Sequence, residues 1–109
     1  MDKNIKLSEL IEIGSRKTGP LTHAYVEKYV SSNKLLINWN ACALGAAKIA
    51  QLGELTEDID VKGLPSVRER IKHPISQNIM AIKNIVIDLN DEYKWSRSQI
   101  AFWLKSIGY

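Results

Sequence analysis

The sequence predicts an all-α domain: a compact bundle of five or six helices, with room for a minor two-stranded element. Three observations carry that expectation. Leu7, Leu10, Ile11 and Gly14 fall at i, i+3, i+4 and i+7, the spacing of one helix face. The run ACALGAAKIAQLG, from Ala41 to Gly53, is crowded with small residues and reads as a central helix that others approach closely. The segment KWSRSQIAFWLKSIGY, from Lys94 to Tyr109, carries two devices that start a helix at the same place.

Taken in order, the first helix is expected from Glu9 to Lys17, with Ser8 as its cap and Glu9 at the positive end of its dipole. Gly19-Pro20 breaks the chain. Thr22 caps a second expected helix, with Tyr25, Val26, Tyr29 and Val30 as its apolar stripe and Ser31 to Lys34 as its end. Leu35 to Trp39 (LLINW) fits a short strand or an extended link. Asn40 is placed to cap the alanine-rich helix, and Gly53 to terminate it.

Residues 54–63 read as an acidic loop, in which Ile59 to Val61 can pair as a strand with LLINW. Pro65 suits the first turn of a short helix through Lys72. After Pro74, Ile79, Ile82, Val86 and Leu89 trace a long helix from Ser76 to Glu92, although β-branched Ile85, Val86 and Ile87 keep a strand as the alternative. The last helix starts near Arg97. Ser96 and Gln99 form an S-x-x-Q capping box, Trp95 and Ile100 hold the two positions of a hydrophobic staple, and Gly108 is a stop.

The 109 residues suit a single globular domain, and 45% apolar with 25% charged residues is ordinary composition for one. The lone Cys42 forms no internal disulfide and no multi-cysteine zinc site, which points to a reducing, cytoplasmic setting. MDKNIKLSEL lacks the apolar stretch of a signal peptide, and no apolar run reaches the ~18 residues of a membrane span. No membrane partner is therefore expected. Net charge is +3, distributed as +2 over residues 1–35, −2 over 36–65 and +3 over 66–109. So mild a bias allows a nucleic-acid partner without calling for one.

The last helix matches the spacing S-x-x-[IL]-A-x-x-L-x-x-x-G of the first helix of bacterial helix-turn-helix proteins, at Ser96, Ile100, Ala101, Leu104 and Gly108. In that register only Tyr109 remains for a reading helix. In the other register this helix itself reads DNA, through Arg97, Ser98, Gln99 and Lys105. Its wide apolar face, with Ile100, Phe102, Trp103, Leu104 and Ile107, favours packing into the core instead.

Cys42 sits at a helix N-terminus, where a thiol pKa falls, and His23, His73, Asp88 and Asp91 can complete a Cys–His arrangement. A small buried hydrophobe is the competing expectation for it. The histidines are fifty residues apart, so no metal is expected, and neither nucleotide-binding loop motif is present, so no cofactor is expected. Arg68, Arg70, Lys72 and Lys105 are candidate phosphate or partner contacts, with a solvated face as the plainer reading.

Two stretches together resemble a family of small uncharacterised bacterial and phage-associated proteins. Its members read L-S-E-A-I-R-L-G, then C-A-L-G-A-A, then L-N-D-x-x-x-W-[ST]-R-x-x-I-A-x-W. The matching positions are Leu7, Ser8, Glu9, Ile11 and Gly14; Cys42 through Ala47; and Leu89, Asn90, Asp91, Trp95, Ser96, Arg97, Ile100, Ala101 and Trp103. Many members carry His where this chain has Asp88 and Tyr93. The resemblance implies prokaryotic or phage origin and supplies no mechanism. Asn90, Asp91 and Arg97 then read as a structural corner, with Asp91 pairing Arg97, or as a polar site shared with Cys42. The favoured expectation is a small soluble non-enzymatic factor that binds another protein, of a host-takeover or anti-defence kind. A DNA-binding regulator and a Cys42-dependent enzyme are the alternatives.

Overall fold

The computed structural model describes residues 5–109. It overturns the all-α expectation. Four α-helices, α1 (Leu7–Ser15), α2 (Ala43–Leu52), α3 (Ile82–Asp91) and α4 (Arg97–Ser106), are joined by five strands in two small sheets. The first sheet holds β1 (Gly19–Pro20), β2 (Val26–Val30) and β3 (Ile37–Ala41), in the order β1-β3-β2. The second pairs β4 (Arg70–Lys72) with β5 (Ile79–Ala81). Among the described residues no helix is long and apolar enough to cross a membrane.

Each correction has a local cause. The segment expected as a second helix is β2, antiparallel to β3 with Val26 opposite Ala41 and Val30 opposite Ile37. Tyr25, Val26, Tyr29 and Val30 fit a helix stripe, but aromatic and β-branched side chains also favour strands. Ser31-Ser32-Asn33-Lys34, expected to end that helix, builds the hairpin turn. The Ser31 hydroxyl binds Asn33 Oδ1 and accepts the Leu36 N–H, and Lys34 adopts φ 61°. LLINW thus supplies the start of β3, and its partner is β2 rather than residues 59–61. Those residues lead into a single 3₁₀ turn at Val61–Gly63.

The helix expected from Pro65 to Lys72 is turns followed by β4. The long helix expected from Ser76 is likewise cut back to Ile82 by the second hairpin. His73 organises that hairpin's turn: its Nδ1 accepts the N–H groups of Ile75 and Ser76, both at 3.0 Å. The Ile82 and Lys83 amides, at the start of α3, bond the carbonyls of Glu69 and Val67. These partners satisfy two of the donors a helix start leaves open.

The caps differ too. Lys6, without a side-chain bond, is the N-cap of α1, while Ser8 lies buried inside the first turn. β3 runs on through Ala41, so Cys42 rather than Asn40 caps α2. Gly53 ends α2 at φ 77°, and the Ser96–Gln99 capping box is formed in both directions. Trp95 packs on the core cluster that contains Ile100.

The core lies where α1 crosses α2, with α3 and α4 closing it. Leu7, Leu10, Ile11, Leu44, Ile82, Ile85, Leu89, Ile100 and Leu104 are all essentially inaccessible. The crossing needs small residues: a side-chain carbon at Gly14 would overlap the Ala46 carbonyl, and one at Gly45 would overlap the Tyr25 carbonyl. The small residues of ACALGAA thus let α1 and the Tyr25 backbone, just before β2, lie directly on α2.

Candidate functional site

The N-terminus of α2 meets the last turn of α3, and the segment before β2 folds over the junction. Cys42 is 5% exposed, and its Sγ accepts the Gly45 N–H at 3.4 Å. Its own N–H binds the Tyr25 carbonyl at 3.0 Å. Burial pushes the Cys42 thiol above the usual range and the nearby Asp91 charge adds to this, against the opposing pull of the Gly45 and Leu44 N–H groups. At neutral pH the sulfur is therefore a protonated, inward-facing cap. The helix-terminus lowering expected from sequence is outweighed by desolvation.

Asn90 holds the junction together. Its Oδ1 accepts the Ala43 N–H at 3.2 Å, covering a donor at the start of α2. Its Nδ2 donates to the Leu21 carbonyl at 2.9 Å and to Asp91 Oδ1 at 2.8 Å. Asp91 Oδ1 also accepts the His23 backbone N–H at 3.0 Å, and Asp91 Oδ2 lies 3.7 Å from His23 Nδ1. Asn90 and Asp91 thus strap residues 21–23 onto α3, with His23 held at φ 65°. These bonds do not make the corner expected between α3 and α4: Asn90 and Asp91 reach α2 and residues 21–23, and Asp91 meets His23 and not Arg97.

Arg97 turns inward from α4. Its guanidinium donates to the Thr18 hydroxyl and the Thr18 carbonyl, both at 2.8 Å, and to the carbonyls of Ala41 at 3.3 Å and Ser15 at 3.4 Å. Burial lowers its pKa somewhat, countered by the nearby Cys42. This side chain ties α4 to the end of α1 and to β3. Thr18, its main acceptor, was not visible as such in the sequence: a threonine beside Gly19-Pro20 reads simply as loop.

Cys42, Asn90, Asp91 and His23 line one cavity of about 330 Å³, with Ala24, Tyr25, Ala43, Leu44, Val86 and Ile87 as its apolar walls. Three of the candidate residues therefore come together, while Arg97 lies outside the lining. His73 and Asp88 form a separate pair at 2.8 Å, fully buried on the histidine side, with the Tyr93 ring tilted against it at 5.4 Å. With Nδ1 accepting two backbone donors, His73 carries its proton on Nε2 and gives it to Asp88. Among the described residues no group of three His, Cys, Asp or Glu is gathered to hold a metal ion.

Arg68, Arg70 and Lys72 are exposed around β4, as is Lys105 on α4. Arg70 spends one donor on the Ile79 carbonyl, and the adjacent Glu69 accepts from the Tyr109 hydroxyl. Acid and base alternate here, as on a solvated face.

The β2–β3 hairpin is the other feature of note. It reaches away from the core with most of its residues exposed on both faces. Leu35 is 81% exposed, Leu36 63%, and Tyr29 and Ile37 54% each. Among the described residues the outer edge of β2 has no strand beside it. Compared with known protein families, curated proteins and solved structures, the chain matches none.

Proposed function

We propose that this chain is a small non-enzymatic interaction factor that binds another protein through the β2–β3 arm. The observation that carries this reading is the arm's apolar tip, built from Tyr29, Leu35, Leu36 and Ile37 and open to solvent. Apolar side chains exposed on both faces of the tip and an unpaired strand edge both invite a protein partner. The occupant that fits is an extended segment of another protein, added along β2 with apolar side chains seated on the tip. Its bacterial or phage origin, and a host-takeover or anti-defence role, belong to the same proposal through the family resemblance.

Arm chemistry favours protein over nucleic acid. Its charged residues are Glu27, Lys28 and Lys34, and the Lys28 ammonium lies 5.4 Å over the Trp39 ring. That is no basic stripe. On α4, Arg97 and Gln99 are occupied by carbonyls and by the capping box, which leaves base reading without its two best side chains.

A photo-crosslinking residue at Leu35 tests the reading in bacterial cells, with one at the exposed Lys17 as control. A discrete adduct from position 35 alone, lost in a Leu35→Ser/Leu36→Ser variant of unchanged melting temperature, is the expected result. Equal labelling from both positions would overturn it.

A further inference from the structure

We propose that the cavity beside Cys42 is a binding site for a small primary ammonium compound with a short apolar body. This rests on the cavity and is independent of the arm. At about 330 Å³ it sits at the small end of small-molecule sites, and like them it pairs apolar walls with a few converging polar groups.

The charge of the lining selects the ligand. The titratable groups there are His23, Tyr25, Cys42 and Asp91. Burial keeps the Cys42 thiol neutral, so Asp91 is the acidic group of the site, with the His23 ring beside it. Its Oδ1 is saturated by the His23 and Asn90 donors. Its Oδ2 has only the His23 ring nitrogen at 3.7 Å, beyond hydrogen-bond reach. An anion would be repelled here, and a purely apolar guest would offer Oδ2 no donor. An ammonium group supplies that donor as a charge-assisted bond while its alkyl body covers Leu44, Val86 and Ile87.

The carboxylate is already oriented by Asn90, so binding has little to organise. His23 sits over it in the left-handed region, a conformation costly for a non-glycine residue and concentrated at ligand sites.

The test is a titration of the ¹⁵N-labelled chain with n-butylammonium chloride, and in parallel with n-butanol, at neutral pH and fixed ionic strength. Saturable shifts confined to residues 23–25, 42–44 and 86–91 are expected, with butylammonium binding roughly tenfold or more tighter than butanol. Asp91→Asn keeps an oxygen for the His23 and Asn90 donors and should erase that preference. Ala24→Trp, at an exposed wall position, should block both probes and carries the test if the first variant fails to fold. Equal affinity for the two probes, a preference that survives in folded Asp91→Asn, unchanged affinity in folded Ala24→Trp, or shifts that never saturate would overturn the proposal.

Discussion

Replacing Asn90 by alanine removes three hydrogen bonds at the seam between α2, α3 and the segment before β2. The consequences are unequal. The Ala43 N–H is fully buried and has no other acceptor once Asn90 Oδ1 is gone. The Leu21 carbonyl is half-buried and recovers some hydration. Asp91 keeps the His23 N–H and reaches solvent at its edge, so its loss is small. A buried group left unpaired costs about 1–3 kcal/mol, which puts Ala43 near the upper end and Leu21 near the lower. Alanine's better helix propensity returns about 0.5 kcal/mol. The net is a destabilisation of about 3 kcal/mol, or roughly 12–18 °C in melting temperature for a domain of this size. Urea unfolding with linear extrapolation measures it. Asn84→Ala, at an exposed position of α3, is the control and should be neutral or slightly stabilising. An Asn90→Ala variant within about 1 kcal/mol of that control would refute the argument that Asn90 closes the start of α2.

Three further outcomes follow from the same geometry. Ser8→Ala should raise stability by about 0.5–1 kcal/mol, because the Ser8 hydroxyl is the one buried side-chain polar atom among the described residues without a partner; a loss in thermal unfolding would show that it has one. Gly14→Ala should destabilise by about 1–3 kcal/mol or more despite alanine's helix preference, since the added carbon meets the Ala46 backbone; a neutral result would mean the two helices can separate freely. Burial raises the folded-state pKa of Cys42 above its unfolded value, so its contribution is intact below the free-thiol range and declines as pH rises through it. From about pH 8.5 upward the wild type should lose melting temperature that Cys42→Ala does not lose, and parallel pH profiles would refute this.

How much could be read beforehand varies with how local the signal is. α4 was legible because the Ser96–Gln99 box is made by residues three apart that satisfy each other. The end of α2 was legible because Gly53 suits a left-handed cap. The strands were not. Beyond Val26, β2 stands clear of the core, so it lacks the in–out alternation that marks a half-buried strand, and its aromatic and β-branched residues coincide with a helix stripe. β4 and β5 are three residues each, held by a turn that depends on one histidine ring. Cys42, Asn90 and Asp91 were picked out from motif and position, and they do share a cavity. Their partners were not readable, because His23 lies 68 residues from Asp91 and Thr18 lies 79 from Arg97. Only the folded chain brings such pairs together.

The arm has one more consequence, and it concerns tolerance to change. Leu35 and Leu36 fill no space inside the molecule, so exchanging them opens no void and strands no polar group. Cys42, Ala43 and Gly45, next to the arm's root, allow little change, because the Tyr25 backbone just before β2 or the Asn90 side chain lies against each of them. The step from the start of α2 to the tip of the hairpin therefore spans the full range of mutational freedom, from a base fixed by packing to a tip on which residues can be traded with little penalty to folding. A chain built this way can vary its exposed tip without having to relearn how to fold.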